Sequence, residues 1–125
     1  MTDFLTIADV LAIHDDQIEQ YGGTKGIRDP GQLEAALFRP QSGYYSDTIA
    51  QAAALWESLS QNHPFIDGTK RTAFASMLTF LIINDTELTV EADEVWSFLS
   101  QLYDSNSLTS SKLDVWLRKH TLETN

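Results

Sequence analysis

With 125 residues the chain is long enough for one domain with its own core, and 42% hydrophobic residues, including 10% aromatics, can fill it. A formal charge of −10 with only eight Lys and Arg residues excludes broad nucleic-acid binding, which needs basic side chains to neutralise phosphates. The absence of cysteine excludes disulfides and thiolate metal sites and fits a reducing compartment.

Met1 is followed by acidic and polar residues instead of a basic segment and an apolar run, so no secretory signal is visible, and a cytoplasmic location is the expectation. No apolar run approaches the ~18 residues of a membrane span. Thr6-Ile7-Ala8-Asp9 has the form of a capping box, with Leu5 and Val10 placed as a hydrophobic staple. Ile7, Val10, Leu11 and Ile18 then give a helical stripe that stops at Gly22-Gly23. His14 lies on that stripe and reads as a packed core residue. Residues 24–28 form a loop. Asp29 and Pro30 open a second helix as N-cap and first residue, burying Leu33, Ala36 and Leu37 and ending at Pro40. Arg28 and Asp29 are placed where they could reach a substrate, but read most simply as a cap plus a surface ion pair.

Gln41 to Ser46 is a polar connection carrying Tyr44 and Tyr45. Asp47 caps a third helix with the stripe Ile49, Ala52, Ala53, Trp56 and Leu59, which delivers the chain to Asn62-His63. Beyond the polar group at 63–71, the spacing of Phe74, Met77, Leu78, Leu81 and Ile82 predicts a fourth helix with one buried face, and Asn84-Asp85 gives a left-handed stop. Leu88-Thr89-Val90 is briefly extended and too short to carry a sheet. Val95, Phe98, Leu99 and Leu102 mark a fifth helix; Leu113, Trp116 and Leu117 mark a sixth, with Arg118, Lys119 and His120 suited to its dipole. The expectation is one all-α domain, residues 1–125, of about six helices without a credible sheet.

The chemistry concentrates in His63-Pro64-Phe65-Ile66-Asp67-Gly68-Thr69-Lys70-Arg71. An imidazole, a carboxylate, an ammonium and a guanidinium lie in a turn that feeds a helix N-terminus. Unpaired N–H groups and the helix dipole make such an end an anion site. Gly68 permits close approach or a positive φ, and Thr69 falls at the N-cap. These residues predict a phosphate cradle with a histidine beside it to move a proton.

His63, Phe65, Asp67, Gly68, Lys70 and Arg71 resemble the signature H-x-F-x-[DN]-[AG]-N-K-R of the Fic/Doc superfamily, in its Doc (death-on-curing) branch, with Thr69 in place of the Asn. Tyr21-Gly22-Gly23, Gly26-Ile27-Arg28-Asp29, Leu33 to Leu37 and Arg39-Pro40-Gln41 are similar in order and spacing to the upstream part of Doc-like proteins. The resemblance covers most of the chain and implies a compact helical fold with a catalytic loop between two central helices. It implies transfer of the γ-phosphate of ATP to a hydroxyl of a translation elongation factor, as a toxin held by an antitoxin whose disordered segment folds into a groove near the site. Lysine after the Asn position, Lys70 here, is the Doc-like choice; AMP transfer, the Fic reaction, and a catalytically weak antitoxin-binding module are the alternatives. It also implies that residues 41–46 act as a flap aligning the target; an ordinary loop whose tyrosines cover the core edge is the equal alternative.

For such a transfer His63 is the expected base and Asp67 the expected Mg²⁺ ligand, since a hard cation prefers carboxylate oxygen. Gly68, Thr69, Lys70 and Arg71 would hold the phosphates, Arg71 with bidentate geometry. No direct nucleic-acid or membrane partner is expected.

Overall fold

The computed structural model describes residues 2–124; Met1 and Asn125, the ends of the expected domain, lie outside the described residues. Among the described residues, the order is α1 (Ile7–Tyr21), α2 (Pro30–Phe38), a 3-10 turn (Arg39–Gln41), α3 (Thr48–Asn62), α4 (Thr69–Ile83), β1 (Thr86–Leu88), α5 (Ala92–Asp104), α6 (Ser110–Lys119) and β2 (Thr121–Glu123). The fold is mostly helical with six α-helices, as the periodicity predicts.

The helix starts follow local chemistry. Thr6 Oγ1 accepts from Asp9 N at 3.2 Å while Asp9 Oδ2 accepts from Thr6 N at 2.8 Å, completing the capping box. Asp29 caps α2 through Gln32 N (3.2 Å), with Pro30 at its first position, and Asp47 caps α3 through Ala50 N (2.9 Å). Arg118 does more than complement the α6 dipole. It pairs with Asp114 at 2.6 Å and with Asp47 at 3.0 Å, tying the end of α6 to the start of α3. Arg118 first, then the Ala50 N–H, holds the Asp47 carboxyl below the usual range. The pairs are half-exposed, so each is worth at most ~1 kcal/mol.

α3 and α4 are central: α3 packs against α2, α4 and α6, and α4 against α1, α3 and β1. On these two helices Trp56, Leu55, Leu59, Met77, Phe80 and Leu81 are fully buried, each contributing ~1.5–3 kcal/mol by burial. Trp56 meets Phe74 and Trp116 with ring centroids 5.5 and 6.0 Å apart. Among the described residues no helix is long and apolar enough to cross a membrane.

Three expectations need correction. A two-stranded antiparallel sheet exists, pairing Thr86, Glu87 and Leu88 with Glu123, Leu122 and Thr121. Its strands are too short for a period-2 pattern to register, and the extended stretch lies two residues earlier than expected. The buried face of α4 comprises Thr72, Ala73, Ser76, Met77, Phe80 and Leu81, while Ile82 is 65% exposed. Neighbours on several sides enclose α4, and the small residues Thr72 and Ser76 occupy inward positions that hydrophobicity alone assigns outward. Ile7, expected on the α1 stripe, lies at its exposed rim.

Candidate active site

The polar segment forms the turn between the two central helices. α3 ends at Asn62, and His63 follows in left-handed backbone (φ 47°, ψ 55°), a conformation that costs a non-glycine residue ~1–2 kcal/mol. Pro64 and Phe65 are buried, turning the chain inward. Gly68, at φ 73°, is the N-cap of α4, and Thr69 is its first helical residue, one position later than the sequence places it. The αL cap explains the shift: glycine adopts it without strain, and Thr does not.

His63, Asp67, Gly68, Thr69, Lys70 and Arg71 all line one open cavity of about 770 Å³, with Arg28, Phe65, Ile66 and Trp96 completing its wall. The fold therefore gathers every expected site residue at one place. None of residues 41–46 lines this cavity. Tyr45 there is anchored, its hydroxyl accepting from Arg39 Nε at 2.7 Å, while Tyr44 stands 84% exposed. Arg39 also bonds Ser58 (2.9 Å) and pairs with Glu57, fixing the base of the connection against α3.

Asp67 is held on three sides. Its Oδ2 accepts from Thr24 N (3.2 Å), its Oδ1 from Gly68 N (2.8 Å), and its backbone carbonyl from His14 Nε2 (2.8 Å). The two backbone N–H groups, with Arg71 and His14 beside them, hold the Asp67 carboxyl below its usual range. The stability that its ionised form contributes is present above the unfolded value of ~3.9 and is lost as pH falls through the lower folded value. At neutral pH the site carries a fixed, exposed negative charge.

The cations are less mobile than the sequence suggests. Lys70 Nζ stands 4.1 Å above the Tyr103 ring, and burial pushes the Tyr103 phenol up, so the platform stays neutral. Arg71 Nη2 donates to Gly22 O at 2.9 Å and the guanidinium lies over Tyr21 at 5.7 Å, leaving the rest of its donor fork toward the cavity.

Sequence reasoning missed the support behind the loop. His14 is indeed buried, yet it also props the motif: its ring stacks on Phe65 at 3.9 Å, nearly parallel, while its edge bonds Asp67. Segment 22–29 runs along the motif, with Ile66 N donating to Gly26 O (3.1 Å), and Arg28 N and Asp29 N to Pro64 O (2.8 and 3.1 Å). Arg28, expected to pair with Asp29, instead donates to His63 O (2.7 Å) and Asn62 O (3.1 Å). The density of glycine at 22, 23 and 26 was the available signal. A Cβ on Gly23, at φ 120°, would meet Asp67 Oδ2 at 2.8 Å. Gly23→Ala should therefore destabilise the protein by ~1–3 kcal/mol, read as a lower urea midpoint at unchanged m.

Among the described residues no group of three His, Cys, Asp or Glu side chains can form an all-protein metal cage. Magnesium needs none: one or two carboxylates with waters and substrate phosphates suffice. Asp67 fits, since each oxygen spends one lone pair on a backbone N–H and the exposed carboxylate keeps others for a ligand. The α4 N-terminus, Lys70 and Arg71 fit an anionic phosphate chain.

A profile described as Fic/DOC family matches residues 4–81. The chain is 42% identical over 98 residues to Toxin Doc of Mycolicibacterium smegmatis (strain ATCC 700084 / mc(2)155), covering 74% of this chain and 73% of that protein. It is 34% identical over 84 residues to Protein kinase doc of Escherichia phage P1, covering 64% of this chain and 67% of that protein. The family match spans more than half of the chain and both relatives are Doc proteins, so the chain belongs to the Fic/DOC family as a Doc-type member.

Proposed function

We propose that the protein is a Doc-type toxin that transfers the γ-phosphoryl group of ATP to a hydroxyl of a protein target, by family likeness a translation elongation factor, and so arrests translation. The observation that carries this is the single cavity in which His63, Asp67, Lys70 and Arg71 meet at the N-terminus of α4. The relatives support it by name, one a toxin and one a protein kinase.

Bound through Asp67, Mg²⁺ would supply charge neutralisation on the phosphates. His63 accepts the proton of the target hydroxyl as its oxygen bonds to the γ-phosphorus and the bond from that phosphorus to the β,γ-bridging oxygen breaks, releasing ADP. The N–H groups at the start of α4 and the Arg71 fork hold non-bridging oxygens, and Lys70 adds charge from its seat on Tyr103. Thr69 offers one hydroxyl where the family Asn offers an acceptor and two donors on a longer side chain. Thr69→Asn should raise single-turnover transfer by up to ~10- to 100-fold, the worth of one charge-assisted hydrogen bond. Stability should change little. Transfer that stays absent in both proteins would assign the protein to antitoxin binding alone.

A second cavity, of about 550 Å³, lies between α1, α4 and α5 and is lined by Tyr21, Phe74, Leu78, Val95, Trp96 and Leu99. It suits an amphipathic antitoxin segment that orders on binding, and at −10 the chain would draw a basic segment faster at low salt. The test of function is cell-free translation. Protein added with ATP and Mg²⁺ should stop incorporation of labelled amino acid, and undiminished incorporation at stoichiometric protein would overturn the reading.

A further inference from the structure

His63 carries its ring on a backbone conformation that L-residues adopt reluctantly. Such a residue keeps its place where its surroundings over-determine it. At His63 the determining contacts come from outside the motif, and one residue makes most of them. Arg28 bonds three successive carbonyls: Asn62 O by Nη2 at 3.1 Å, His63 O by Nε at 2.7 Å, and Pro64 O by its backbone N–H at 2.8 Å.

The physical fit is specific. Asn62 is the last residue of α3, where carbonyls lack intrahelical partners and positive charge suits the dipole. A planar guanidinium can span two adjacent carbonyls; a lysine ammonium reaches them only as a point charge on a flexible stem. Two of the guanidinium nitrogens are thus committed to the main chain, although Arg28 also borders the cavity. A phosphate ligand would need that fork turned the other way.

We propose that Arg28 is a positioning residue that fixes the direction of the His63 imidazole for proton transfer, a role that rests on His63 acting as the base. Its backbone bond to Pro64 does not depend on the side chain, nor do those of Asp29 and Ile66, so the loop keeps its place when the side chain is cut to alanine.

The experiment compares Arg28→Ala and Arg28→Lys with the native protein in three readouts: thermal unfolding, kcat and KM for ATP, and the His63 imidazole NMR signals without nucleotide. In Arg28→Ala, kcat should fall roughly 10- to 100-fold, as for a misdirected reactive group, with KM for ATP within about twofold. The His63 signals should move while those of His120 stay. Arg28→Lys should recover only a minor part of kcat. Full recovery by lysine, or a loss that appears in KM, would make Arg28 a phosphate ligand and overturn the proposal. Unmoved His63 signals, or unfolding of Arg28→Lys, would overturn it as well. If the native protein transfers nothing from ATP, the reading of His63 as base fails on its own, and the NMR signals still decide whether Arg28 sets the ring.

Discussion

Replacing His63 by alanine should lower transfer from ATP by roughly 10²- to 10⁴-fold, the range one positioned general base contributes. The fold should survive. The ring is exposed and lines the cavity, while the residue is gripped through its backbone carbonyl by Arg28. Alanine tolerates left-handed backbone no better than histidine, so Tm should change by only a few degrees. Growth arrest on expression should disappear, and capture of an antitoxin should persist because the apolar groove between α1, α4 and α5 lacks His63. Arrest that persists in His63→Ala would remove the imidazole from the chemistry.

Asp67→Asn should be comparably damaging for a different reason. It keeps the shape and removes the charge, so ATP affinity should lose most of its Mg²⁺ dependence, and transfer should fall on the order of 10²- to 10³-fold. The loop itself is also affected. Asp67 accepts from Thr24 N with one oxygen and Gly68 N with the other. An amide has only one acceptor, so one N–H loses its partner. ATP titrations with and without Mg²⁺ on both proteins separate the two effects, since a loosened loop alone weakens binding equally in both conditions. Equal Mg²⁺ dependence would reduce Asp67 to a residue of the turn.

What the sequence disclosed is what local chemistry controls. The caps at Thr6, Asp29 and Asp47 were legible because the capping side chain and its N–H partner lie three residues apart. That the candidate site residues share one cavity was legible because most of them are consecutive in a motif. The rest depends on partners far along the chain. Thr24 meets Asp67 across 43 positions and Arg28 meets His63 across 35. No periodicity encodes such contacts, and Arg28 beside Asp29 read most simply as an ion pair. His14 was recognisable as buried, but not as a donor to Asp67 O, 53 residues away. The sheet was invisible for a similar reason: Thr86–Leu88 has no strand pattern until Thr121–Glu123 returns beside it.

The proposed function requires that the γ-phosphoryl group of ATP move onto a protein hydroxyl in this cavity. Such transfer is measured by incubating the purified protein with lysate, Mg²⁺ and ATP labelled at either the α- or the γ-phosphate, with His63→Ala in parallel. A labelled protein band is expected from γ-labelled ATP only, and it should be absent with His63→Ala. A band from α-labelled ATP would contradict this in favour of AMP transfer, and no band from either label would contradict catalysis altogether.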